Sequence, residues 1–152
     1  MVIVIDGPDG SGKTTLAKKL ADITGYTYAH FSYPTSDWER KQMVDKYKEM
    51  IKRSCVIFDR SWYSEMVYGP IMRGESCVSR VDMQDLELLL AKYGGIIIYC
   101  TDHPEVLWQR ATSRGEDYIK DYETFLKVCA GFDDVLGVQH LVPVFKYDYK
   151  DL

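Results

Sequence analysis

The sequence predicts an α/β fold in which a parallel sheet is covered by helices on both faces. Three observations carry the prediction. Short β-branched or aromatic runs alternate with longer helix-period stretches along the chain, the pattern of successive strand–helix–strand units. The stretch Gly7-Pro8-Asp9-Gly10-Ser11-Gly12-Lys13-Thr14 matches G-x-x-x-x-G-K-[ST] at every fixed position and lies between a strand and a helix, as a phosphate-binding loop requires. The apolar run at residues 55–58, too short for a helix, ends at Asp59, which places an acid at the sheet edge where ligands bind in folds of this kind.

Taken in order, Val2-Ile3-Val4-Ile5 is a β-branched run bounded by Asp6-Gly7 and reads as the first strand. Leu16, Ala17, Leu20 and Ala21 recur at helical spacing, and Thr24-Gly25 stops that helix. Residues 26–31 have strand composition and end before Tyr33-Pro34. Ser36 caps a charged, solvent-facing helix with Asp37 and Glu39 in its first turn and Met43, Tyr47, Met50 and Ile51 on one face. After the central strand at 55–58, a helix is expected over 61–68 and is broken by Gly69-Pro70. A mobile loop over 74–79 and a buried helix over 81–93 follow. Gly94-Gly95 leads into a strand at 96–100, Asp102 caps and Pro104 opens the next helix, and residues 114–117 interrupt it. An amphipathic helix over 121–136 and a strand over 142–147 complete the pattern, with ligands expected at the carboxyl ends of the strands.

With 152 residues and 46% hydrophobic content, the chain reads as one domain with a core of its own. A net charge of -4 favours a small mobile substrate over a nucleic acid. Cys55, Cys77, Cys100 and Cys129 have neither metal-ligand nor redox spacing and read as reduced core residues, and His30, His103 and His140 are too scattered to make a metal site. The opening residues have no basic lead-in or cleavage site and no stretch is long enough to span a bilayer, so the expected compartment is the cytosol and no membrane partner is expected.

The loop dictates its own chemistry. Gly7, Gly10 and Gly12 let the backbone curl so that N–H groups face phosphate oxygens, Ser11 lies among them, and the helix N-terminus adds positive potential. Lys13 reaches the outer phosphates, Thr14 offers its hydroxyl to Mg²⁺, and Thr15 is placed to hold the phosphate nearest the helix. ATP with Mg²⁺ is the ligand this implies. Asp59 would lie within reach of the metal, its competing role being a helix cap; Arg60 suits an acceptor phosphate, against a surface ion pair. Arg110 and Arg114, four apart beside Gly115, fit a short lid around 110–118 that clamps the transferring group, against a solvated basic turn. Asp9 would be repelled by a triphosphate and is expected to face outward to a sugar hydroxyl of the acceptor, against a plain Asp-Gly turn.

These motifs, residues 5–15, Asp59-Arg60 with Ser64 and Tyr68 behind it, and Arg110 to Gly115, resemble thymidylate kinases over most of the chain. The resemblance implies a P-loop NTPase of nucleotide kinase type, a three-layer α/β/α domain with a five-stranded parallel sheet, that passes the γ-phosphate of ATP to dTMP. It makes Asp9 a sugar-hydroxyl partner, Arg60 an acceptor-phosphate ligand, and Arg110 and Arg114 lid arginines. Tyr33, Tyr68 and Arg73 join the acceptor-site candidates, Arg73 being close in register to an arginine that reads the thymine edge. The family commonly pairs as homodimers, and the short chain is similar to compact phage-encoded versions. Asp59-Arg60-Ser61 also resembles deoxynucleoside kinases, but both groups place Glu-Pro after the second strand where this chain has Tyr33-Pro34. A kinase for a modified base in DNA and a non-catalytic nucleotide-binding regulator are the remaining readings. Trp62 and Tyr63 fit an interface, a pocket or the core, and Asp148 and Tyr149 are weak candidates for a purine neighbour.

Overall fold

The computed structural model describes residues 1–115 and 119–148. Five strands, β1 (Val2–Asp6), β2 (Thr27–His30), β3 (Val56–Asp59), β4 (Ile96–Cys100) and β5 (Val144–Tyr147), form one sheet. Their order is β2-β3-β1-β4-β5 and every pairing is parallel. The described residues also form six helices, α1 (Lys13–Thr24), α2 (Asp37–Arg53), α3 (Trp62–Arg73), α4 (Arg80–Lys92), α5 (Pro104–Ser113) and α6 (Tyr122–Leu136). Strand residues alternate between two cores because side chains point to opposite faces at period two. Val2, Val4, Val56, Phe58, Ile97 and Tyr99 meet the buried sides of α2, α3, α4 and α6, while Ile3, Ile5 and Ile57 pack on Leu16 and Ala17 of α1. The α1 layer is the thinner one: Ile96 and Ile98 are half-buried there, and Phe145 beside Ile98 stays 55% exposed.

Each expected strand and helix is present, with ends shifted by a residue or two except at the end of α3. Ser36 accepts from the Glu39 N–H, and Ser79 with Asp82 makes a capping box at α4. The expected break at Gly69-Pro70 does not occur. α3 runs on to Arg73 and stops at Gly74, φ 85°, because the helix is held by burial along Trp62 to Gly69. Gly69 serves close packing instead: a Cβ there would lie 2.7 Å from the Glu75 carbonyl oxygen. α4 is not buried all round, since Leu86 and Leu90 are inside but Val81 and Leu88 face solvent. Asp102 is not the cap of α5; His103 occupies that position and donates its N–H to Asp102 at 2.7 Å.

Trp62 and Tyr63 belong to the core, fully buried, each contributing about 1.5–3 kcal/mol through burial. All four cysteines are free, yet only Cys100 and Cys129 are core residues. Cys55 is exposed in the left-handed turn that joins α2 to β3. Among the described residues, no helix is long and apolar enough to cross a membrane.

Candidate active site around the phosphate loop

The loop at residues 7–12 connects the carboxyl end of β1 to α1 and is wedged against two other elements. A Cβ on Gly7 would lie 2.0 Å from the Cys100 carbonyl oxygen, and one on Gly10 would lie 2.3 Å from the Leu107 carbonyl oxygen on α5. Gly10 also has φ 80°, so both space and conformation call for glycine. α1 starts at Gly12 with no side-chain cap and no acid in its first turn, which leaves its N–H groups and positive end open to an anion. Ser11 Oγ is buried without a partner among the described residues, an orphaned donor of the kind a phosphate oxygen satisfies. Lys13 rests its ammonium on the Pro8 carbonyl at 2.8 Å. Burial, then the Arg60 charge, pull its pKa down.

Beneath the loop, Asp6 is fully buried and satisfied by Gly7 N–H, Ser61 Oγ, Ser64 N–H and Ser64 Oγ. Burial still raises its pKa. Asp6 ties the loop to the start of α3, a role absent from the sequence reading although an acid directly before a glycine loop signals it.

Asp59, at the end of β3, does reach the loop. Its Oδ2 accepts from Thr14 Oγ1 at 2.7 Å, Tyr28 OH at 2.5 Å and His30 Nδ1 at 3.2 Å, while Oδ1 is buried without a partner among the described residues. Burial pushes this carboxyl up, but the hydrogen bonds from Tyr28, Thr14 and His30 outweigh it and hold the pKa below the usual range. No group of three metal-ligating side chains exists among the described residues. Mg²⁺ in such a site needs only a hydroxyl, a carboxylate, water and substrate phosphates, and the Thr14 hydroxyl with the orphaned Asp59 Oδ1 fits that donor set.

On the other side of β3 the chain turns sharply at Arg60, φ 70°, while its N–H donates to the Ile5 carbonyl at 2.9 Å. The turn swings the guanidinium to Asp9, with Nη2 to Oδ1 at 2.6 Å, and to the Tyr33 hydroxyl. It also lies 4.8 Å above the Tyr33 ring and 5.9 Å from that of Tyr68, and the two rings meet edge-on at 5.1 Å. Four expected acceptor-site residues, Asp9, Tyr33, Arg60 and Tyr68, therefore form one cluster. Arg73 is not in it; it pairs with Glu65, which also accepts the Cys77 N–H, at the far end of α3.

Arg110 is held by Asp102 at 3.3 Å on α5, the helix that supports Gly10. Arg114 follows at the end of α5, exposed. Thr15 is exposed on α1. The far part of the expected lid, residues 116–118, and Tyr149 lie outside the described residues.

Against solved structures, the YorR protein of Bacillus subtilis, in complex with phosphorylated GDP, superposes with a TM-score of 0.83 at 22% identity over 97% of this chain and 85% of that one. The deoxyadenosine kinase of M. mycoides with bound dCTP gives a TM-score of 0.63 at 19% identity over 99% and 91%. Both are likenesses of fold. A curated cytidylate kinase of Alkaliphilus metalliredigens is 69% identical, and one of Caldanaerobacter subterraneus 65% identical, over 26 residues. That match covers 17% of this chain and 12% of either relative. The thymidylate kinase likeness remains one of motifs. The model of polyphosphate kinase 2 (PPK2) matches residues 1–127, well over half of the sequence, and the chain belongs to that family.

Proposed function

We propose that the chain is a Mg²⁺-dependent kinase that moves the γ-phosphoryl group of ATP to a deoxynucleoside monophosphate, with dTMP the acceptor named by the motif resemblance. The observation that carries this reading is the Asp9–Arg60–Tyr33 cluster at the edge of the phosphate loop. It offers a half-buried guanidinium, beside the donor cradle, for a second phosphate.

The transferring group carries its charge on oxygens in flight, so the protein's task is to position and to neutralise. Lys13 and the loop N–H groups hold the donor tail, and Arg110 and Arg114 approach from α5 to balance charge on the moving group. Arg60 fixes the acceptor phosphate and Asp9 accepts from the acceptor's sugar hydroxyl with its second oxygen. Bound Mg²⁺ neutralises the donor phosphates, with the Thr14 hydroxyl and Asp59 as its protein-side groups. An acceptor phosphate oxygen is already anionic and needs no base to deprotonate it.

The family name raises polyphosphate as a second donor. A long polyanion calls for an extended cationic track, whereas Arg60 and Arg110 here already sit on Asp9 and Asp102 and the chain carries a net charge of -4, which favours ATP. The second acceptor reading, a nucleoside hydroxyl, is favoured by Asp59-Arg60-Ser61. The test is a matrix of ATP or polyphosphate against monophosphates, nucleosides and a DNA oligomer, read as phosphorylated product. ATP with dTMP is expected to give dTDP; a product only from nucleosides, or only with polyphosphate, would overturn the assignment.

A further inference from the structure

Asp59 is held by more than the loop needs. Strand β2 runs parallel to β3 with His30 opposite Asp59 and Tyr28 opposite Ile57. Residues 28 and 30 lie on one face of the strand, and both side chains reach the same carboxylate oxygen, Tyr28 OH at 2.5 Å and His30 Nδ1 at 3.2 Å. That face otherwise packs apolar side chains against α1. The Tyr28 ring packs against that core, but its hydroxyl and the His30 imidazole are chemically specific choices that packing alone does not require.

An ionised carboxylate only accepts, so the imidazole donates from Nδ1, and its ring is otherwise 47% exposed. Three donors thus converge on Oδ2, and Oδ1 is left buried and unpartnered among the described residues. Of the three, Thr14 alone belongs to the phosphate-binding motif, in the first turn of α1. Its hydroxyl can hold a cation through a lone pair while still donating to Oδ2, and Tyr28 and His30 add two restraints on the carboxylate plane that come from outside the cation's own ligands.

On the proposed ATP–Mg²⁺ site, we propose that Tyr28 and His30 are positioning residues: they immobilise Asp59 through Oδ2 so that Oδ1 faces the cation or its water. Outer partners of this kind fix ligand orientation, and their removal costs metal affinity more than it costs folding.

The test uses Mn²⁺ as the probe, titrated by electron paramagnetic resonance into the full chain with a non-hydrolysable ATP analogue. The double variant Tyr28→Phe, His30→Leu is expected to weaken Mn²⁺ binding by about tenfold, with metal-free binding of the analogue unchanged. Changing His30→Leu to His30→Asn, whose side-chain amide can donate from near the Nδ1 position, is expected to recover most of that loss. Should the double variant fail to fold, Tyr28→Phe alone is measured and is expected to show a smaller loss in the same direction. Wild-type Mn²⁺ affinity in the variants, or an equal loss of metal-free analogue binding, overturns the positioning role alone. A wild-type chain that binds the analogue neither with nor without Mn²⁺ overturns the ATP reading as well.

Discussion

Arg60 gives the sharpest test, because its backbone and its side chain make separate predictions. The residue has φ 70°, its guanidinium bonds Asp9 at 2.6 Å and stacks 4.8 Å over Tyr33, and the side chains of the ion pair are 17% and 9% exposed. Removing one member of a wholly buried pair costs about 3–5 kcal/mol; with some access to water here, about 2–3 kcal/mol is expected for Arg60→Ala. For a domain of this size that lowers Tm by about 5–10 °C. Arg60→Gly loses the same contacts but relieves the left-handed backbone, so it should be about 1 kcal/mol more stable than Arg60→Ala, the reverse of the order at an ordinary position. On the proposed function both variants would also lose a charge-assisted bond to the acceptor phosphate, about 1.5–3 kcal/mol, or about 10- to 150-fold in kcat/KM for the acceptor. Thermal melts and steady-state rates, with the acceptor varied at saturating ATP, measure both effects. Arg60→Ala matching or exceeding Arg60→Gly in stability would refute the strain argument, and an equal loss towards donor and acceptor would remove Arg60 from the acceptor side.

Lys13→Ala should cut turnover by about 10²–10³-fold or more with little change in Tm, since the ammonium is desolvated at rest; near-normal turnover would exclude it from the mechanism. Gly10→Ala drives a Cβ to within 2.3 Å of the Leu107 carbonyl on α5. Tm and ATP-analogue affinity should fall together by calorimetry, and unchanged affinity would show that the loop tolerates movement of α5. His140 is buried with Nδ1 on Glu87 at 3.0 Å and Nε2 on the Val135 carbonyl at 2.7 Å, an arrangement that suits the charged imidazolium. The Glu87 bond raises the His140 pKa above 6.5. Burial pushes Glu87 up, but the His140 bond outweighs it and holds Glu87 below 4.5. The His140 contribution is complete below 6.5 and fades as pH rises through its elevated pKa; the Glu87 contribution is complete above 4.5 and fades as pH falls through its depressed one. Urea melts should therefore show stability declining above pH 6.5, and His140→Leu should remove that decline; an unchanged slope would refute the pairing.

The fold was legible because its signals are local. Strand runs, glycine stops and the Ser36 cap act within a few residues, and the loop pattern carries its own strand–loop–helix context. The α3 error came from the same locality. Pro70 is a breaker by propensity, but seven buried residues from Trp62 to Gly69 outweigh it, and burial is a property of the assembled molecule. The site divides the same way. Lys13, Thr14 and Asp59 follow from sequence, while the Asp9–Arg60 pair, 51 residues apart along the chain, required the fold to bring its members together. Tyr28 and His30 left one trace, polar aromatic residues at alternate positions of a strand face that should be apolar. Nothing short of the β2–β3 register turns that trace into a contact with Asp59.

Three of the four cations of the proposed site share a feature that bears on selectivity. Each of the three rests on an oxygen of the chain itself: Lys13 on the Pro8 carbonyl, Arg60 on Asp9, Arg110 on Asp102. An incoming phosphate therefore exchanges partners and does not meet bare charge, and each exchange returns only the difference between two good interactions. A single anion displaces one partner for a small gain, and the abandoned carboxylate must then be resolvated or re-paired. On the proposed function, a triphosphate and a monophosphate bound together would engage all three of these cations, and the acceptor would bring a sugar hydroxyl to satisfy Asp9. Selectivity for the complete pair of substrates over stray phosphate then follows from the resting contacts, because tight binding requires every exchange at once.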